Sequence, residues 1–219
     1  WFGSNGFRRD VLLLGGTNSR ASYQANFGRT QSDGVRSYSK QDLANGFLRA
    51  NTAFRGTEFT LLALGMNQPT AQNPGALTRF QFDTSALKSD TNQFLKKSRK
   101  EVSQLQLGLT ARRAIRGDGD IQLQGFGSTR TLFNPLTFAV VGVDRQTSGA
   151  SARATLPVTI AGLSQRVTAG FDAQRMSDAR KNWTNCNNLI SPSCTGAEKG
   201  PLTLDQREIV TGSGAYVRD

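Results

Sequence analysis

The chain has no histidine and two cysteines in 219 residues. With no histidine, no GxSxG nucleophile elbow and no Walker-type glycine loop, catalysis would have to rest on paired carboxylates. The 16 acidic residues are instead dispersed through turns and loops, so an enzyme is not expected. No set of soft ligands is grouped at metal-binding spacing, and no cofactor is expected. No run approaches eighteen apolar residues, which excludes a transmembrane helix, and 37% hydrophobic residues is too few for a helical membrane protein. Neither an initiator methionine nor a basic-then-apolar leader stands at Trp1, so a mature or truncated chain is expected.

Acidic residues are also scarce relative to the 27 Lys and Arg, leaving a formal charge of +11. Such an excess can mark a phosphate-binding surface. Here the basic residues are scattered through strand-like segments, and the densest group, Lys96-Lys97-Ser98-Arg99-Lys100, has no recognition helix or RNA-binding aromatic motif beside it. Nucleic acid is therefore not an expected partner. Cys186 and Cys194 lie eight positions apart in the polar connector NWTNCNNLISPSCTG. A local disulfide, worth roughly 2 to 3 kcal/mol and implying an oxidising compartment, is expected; two free thiols are the alternative.

What the chain does have is period-two alternation. In VSQLQLGLTARRAIRGDGDIQLQGFGSTRT, Leu105, Leu107, Leu109 and Ala111 alternate with Gln104, Gln106, Gly108, Thr110 and Arg112. Arg116 to Asp120 reads as a hairpin turn, and Asp118 and Asp120 would repel a phosphate from its glycines. The second arm repeats the code, with Ile121 and Leu123 against Gln122 and Gln124. A polar face of Gln, Gly, Thr and Arg suits a wet lumen, and the opposite face suits lipid.

The same period marks about nine strands, each near the length that crosses a bilayer when tilted. They are Phe7 to Gly16, Ala21 to Thr30, Leu43 to Phe54, Glu58 to Met66, the two arms above, Ala150 to Leu156, Val167 to Ala173, and Gln206 to Arg218. Short turns alternate with long polar connectors, the longest running from Asn67 to Glu101, as in a bacterial outer-membrane barrel with its short periplasmic turns and longer external loops. Phe7, Phe27, Phe54, Phe59 and Phe171 lie near strand ends, where interfacial aromatics sit. A secreted antiparallel sandwich or solenoid is the competing reading. The expected fold is all-β: an antiparallel up-and-down transmembrane barrel, present as an incomplete section of about nine to ten strands, with residues 1–219 as one domain.

Four stretches resemble the barrel of TonB-dependent receptors. WFGSNGFRRDVLLLGG is similar to the family's first barrel strand after the plug, and TQSDGVRSYSKQDLANGFLRANTAF to the following strand, loop and strand. PGALTRFQFD resembles a later loop and LDQREIVTGSGAYVRD a mid-barrel strand. The resemblance implies a barrel of about twenty-two strands around a globular plug. It also implies import of a scarce ligand such as a siderophore, a cobalamin or an oligosaccharide across a bacterial outer membrane. The plug and the TonB complex are implied as partners for the parent protein only, because neither a plug nor an energy-coupling box is found in these residues. A passive porin and a secreted adhesive or carbohydrate-binding protein are the alternatives. By parity, Arg49, Gln104, Gln106, Arg112, Gln122, Gln124, Arg130, Arg153 and Arg166 are expected to face the lumen, where the arginines would pair with plug carboxylates.

Overall fold

The computed structural model describes residues 1–115, 118–160, 162–186 and 196–218. Nine strands form one sheet in sequence order, every neighbour antiparallel. They are β1 (Arg8–Thr17), β2 (Ala21–Ser32), β3 (Gln41–Phe54), β4 (Thr57–Gln72), β5 (Arg99–Ile115), β6 (Gly119–Pro135), β7 (Ala139–Ile160), β8 (Leu163–Cys186) and β9 (Glu198–Arg218). The sheet is open, with β1 at one edge and β9 at the other.

Turn chemistry sets the hairpins. Arg55 and Gly56, the two residues between β3 and β4, have φ of 49° and 73°, the paired positive values of a two-residue turn whose twist matches its strands. In the β5–β6 turn, residues 116–117 of the expected tip lie outside the described residues. Successive turns are staggered. Ala21 is level with Thr52, two residues short of the end of β3. Thr57 is level with Arg113, two short of the end of β5, and Asp120 with Thr155, five short of the end of β7. A stagger that accumulates in one direction is the shear that tilts strands in a barrel wall.

Register divides the sheet into two faces. One row across it reads Tyr23, Ala50, Leu61, Leu109, Gly125, Ala150 and Ala173, and the next reads Thr52, Phe59, Ala111, Leu123, Ala152 and Phe171. The opposite face carries the row Glu58, Arg112, Gln122, Arg153. None of the described residues covers the apolar face: Leu105, Leu107, Leu109, Leu123 and Phe171 are all about half exposed. Burying each such side chain is worth about 1.5 to 3 kcal/mol, so this belt needs an apolar surround. Among the described residues the largest fully buried side chains, Val140, Asn185, Pro135 and Ser98, sit at the long-connector end.

The strands correct the sequence-based boundaries there. β7 begins at Ala139, so residues 139–149, ahead of the expected strand at Ala150, are strand as well, and residues 136–138 alone join β6 to β7. β8 runs on to Cys186 and β9 starts at Glu198, which shortens the cysteine connector; Cys194 lies outside the described residues, so its pairing with Cys186 stays an expectation. The connector after β4 spans 73–98 and contains α1 (Arg79–Ser85) and α2 (Thr91–Leu95). Thr78 caps α1 in a reciprocal capping box with Gln81, and Asp90 caps α2 by accepting from the Gln93 amide.

Candidate functional site

The nine residues assigned by parity share one face. Gln104 opposes Arg130, Gln106 opposes Ser128, Arg112 opposes Gln122, and Gln124 opposes Thr110. Arg153 opposes Gln122, Arg166 opposes Pro157, and Arg49 opposes Leu62. Along this face, charged groups gather at two levels.

The first group lies near the short turns. Arg112 donates from Nε and Nη2 to Asp120 at 3.3 and 3.4 Å, and Arg153 Nη2 stands 3.7 Å from the same carboxylate. Arg153 also donates to Gln122 Oε1 at 2.9 Å, and Arg166 Nη2 donates to the Asp118 carbonyl at 3.1 Å. Asp120, an acid that sequence reasoning did not select, thus holds Arg112 and Arg153, with Gln122 joined through Arg153, while Arg166 is tied to the Asp118 carbonyl. Arg49 stands apart, donating to Asn51 at 3.3 Å.

The second group forms a single row four steps further out on the same face: Gln104, Arg130, Arg145, Asp178 and Glu208. Arg130 lies eight residues from Gln122 along β6, roughly 26 Å at the rise of a strand. Arg145 grips the buried Asp178 carboxylate with two charge-assisted hydrogen bonds, Nε to Oδ1 at 2.8 Å and Nη2 to Oδ2 at 2.5 Å. Arg180 is two residues from Asp178 on the same face, and Gln206 donates to the Glu208 carboxylate. Sequence reasoning missed Arg145, Asp178 and Arg180 because the alternation marks only the turn-proximal parts of β7 and β8. Among the described residues, the buried Nε–H groups of Arg130, Arg153 and Arg180 have no acceptor. A buried donor left unmade costs about 1 to 3 kcal/mol, so each of the two clusters holds hydrogen-bonding capacity for an acceptor that no described residue supplies.

Between the clusters the face is less polar than the β5–β6 hairpin alone suggests. Leu62, Leu64 and Met66 of β4 lie on it, and Phe126 and Tyr216 are laid over the glycines 149 and 170. A Cβ at Gly149 would stand 2.5 Å from the Phe126 ring, and one at Gly170 2.4 Å from that of Tyr216, so a side chain at either position would have to displace the ring.

At the long-connector end, side chains weld the loops together. Arg36, in the β2–β3 connector, donates to the carbonyls of Gly75 at 2.7 Å, Pro74 at 3.2 Å and Lys88 at 2.9 Å. Asn185, buried at the end of β8, donates to the carbonyls of Lys96 and Leu136 at 2.9 and 2.7 Å and accepts from the Ala197 amide at 3.0 Å. Tyr38 packs edge-to-face on Phe94, centroids 5.6 Å apart; burial raises its phenol above the ordinary value against the pull of Arg99. Four connectors therefore meet in one cap held by two polar hubs.

No family model matches the chain, and no curated protein matches it. Solved structures do match. The ferric citrate transporter FecA, in its unliganded form, is similar over 98% of this chain with 17% identity and a TM-score of 0.79. The alcaligin outer-membrane receptor FauA from Bordetella pertussis is similar over 99% with 10% identity and a TM-score of 0.64. The fold is that of an outer-membrane receptor barrel. The chain spans 32% and 31% of the lengths of those two proteins, so it corresponds to a section of the barrel wall. The first of these is named as a transporter and the second as a receptor.

Proposed function

We propose that residues 1–219 are part of the wall of an outer-membrane active transporter that imports a scarce ligand, with the apolar face toward lipid and the arginine-bearing face toward the lumen. The observation that carries this reading is the register itself. It sorts Leu105, Leu107, Leu109, Leu123 and Phe171 onto one face and all nine parity-assigned polar residues onto the other. The three unaccepted guanidinium Nε–H groups and the apolar patch of Leu62, Leu64 and Met66 support a plug against that face, with carboxylates opposite the arginines. Partnership with a TonB complex belongs to the whole protein. Since the neighbours are named for ferric citrate and alcaligin, an iron chelate is the ligand class to try first, ahead of a cobalamin or an oligosaccharide.

The full-length protein in a planar lipid bilayer tests this. A plugged transporter gives no steady pore current and binds ferric chelates saturably, whereas a continuously open channel that ignores them would mean a passive porin. A monodisperse monomer in water without detergent would instead mean a secreted β protein.

A further inference from the structure

At the short-turn end of the wall, charge is sorted by face. Glu58 and Asp120 lie on the face of Arg112, Gln122 and Arg153, and Asp118 sits in the β5–β6 turn, its carbonyl held by Arg166 from that same side. Among the described residues, the apolar face has no acid from the short turns out to the row of Leu107.

Bases take the edge of that face. Arg113 stands on it directly, level with Thr57 and Ile121 and one side-chain row beyond Phe59, Ala111 and Leu123. Arg55, in the β3–β4 turn, folds back so that its guanidinium lies 5.1 Å from the centroid of the Phe54 ring, and Phe54 is 63% exposed beside Thr57. Arg20 immediately precedes β2, where the Thr52 hydroxyl donates to its carbonyl at 3.1 Å. The three arginines follow the ends of β2 to β5, three strand spacings or roughly 15 Å. All three are exposed, and among the described residues none is ion-paired. The β7–β8 hairpin differs: it carries Leu156, Val158 and Leu163 on this face and no base among its described residues.

We infer that Arg20, Arg55 and Arg113 form an interface with the anionic phosphodiester headgroups of the leaflet at the short-turn end, with Phe54 at the boundary between headgroup and chain. Sorting carries the inference. Arginines solvated by water alone need no particular face, whereas these border the apolar belt on the side that holds no acid to compete for them. An arginine at such a boundary lays its stem on apolar surface, or its guanidinium on an aromatic ring, and offers its remaining donors to phosphate oxygens. The interface rests on the proposal that this face meets lipid.

The test places the full-length protein in vesicles of phosphatidylcholine and phosphatidylglycerol, one of the two carrying brominated chains, with a fluorophore on Thr52→Cys. Quenching reports which lipid occupies that spot. Phosphatidylglycerol is expected to displace phosphatidylcholine there with a roughly tenfold preference, lost in the triple variant Arg20→Gln/Arg55→Gln/Arg113→Gln. The same label on Leu163→Cys, at the hairpin without a base, shows no preference in either protein. Equal quenching by the two lipids at residue 52 of the parent overturns the interface, as does a preference that survives the triple variant or is matched at residue 163. A preference removed by inorganic phosphate, at an ionic strength matched with chloride, also overturns it and means a free-anion site. The two levels of the reading separate cleanly. If both lipids quench at 52 and 163 without discrimination, the headgroup interface alone fails; if neither lipid quenches at either position, the lipid-facing reading fails with it.

Discussion

Two halves of the same strands follow different rules. Near the short turns, β5 alternates Leu105, Leu107 and Leu109 with Gln104, Gln106 and Gly108, one face greasy and the other polar. In the far halves of β7 to β9, Asp144, Lys181 and Arg207 lie on the same face as the leucines, while Arg145, Asp178, Arg180 and Glu208 lie on the opposite one. The near half has the contrast of a wall between lipid and water; the far half has none, as expected of a wall wet on both sides. β7, β8 and β9 have 22, 24 and 21 residues, about twice what a tilted bilayer crossing needs, so their far halves project beyond the belt. Stability there comes from ladder hydrogen bonds, the Arg145–Asp178 pair and the loop hubs rather than from an apolar surround.

The difference can be broken at five points. Leu107→Arg, on the belt, is expected to destabilise the full-length barrel in lipid vesicles by about 2 to 4 kcal/mol, read from urea unfolding. Ser177→Arg, on the same face but in the far half, should change it by less than about 0.5 kcal/mol. Equal costs would erase the boundary between the halves. Asn185→Ala removes three hydrogen bonds from a buried hub and should cost about 1 to 3 kcal/mol, with faster amide exchange around Lys96, Leu136 and Ala197. Asp178→Asn, which strips Arg145 of its carboxylate, should cost about 1 to 2 kcal/mol, held down by the partial exposure of the arginine. The smallest effect belongs to Arg36→Ala: exchange should quicken at residues 74–90, with the unfolding midpoint nearly unchanged, because the Arg36 hydrogen bonds join two loops and no strand.

The same contrast explains what could be read from the chain alone. Alternation is visible where the two faces meet different solvents, so β1 to β3, β5 and the turn-proximal parts of β4 and of β6 to β9 were legible, as was the sorting of Arg49, Arg112 and Arg153 onto one face. Where both faces are wet, a stretch such as DARKNWTNC carries no period, and most of the second charged cluster went unseen with it. The loop helices left a clearer trace: Thr78 with Gln81 three residues on is a capping box. Arg36 and Asn185 could not have been picked from sequence, because the carbonyls they bind belong to connectors far away in the chain.

Cysteine accessibility along β5 and β7 in the full-length protein, embedded in lipid, addresses the central claim most directly. Single cysteines at 105, 107 and 109 should react with a lipid-phase reagent, and those at 104 and 106 should not. At 144, 145 and 146 neither parity should react with it. Lipid-phase labelling at 104 and 106, or at 144 to 146, would contradict the account.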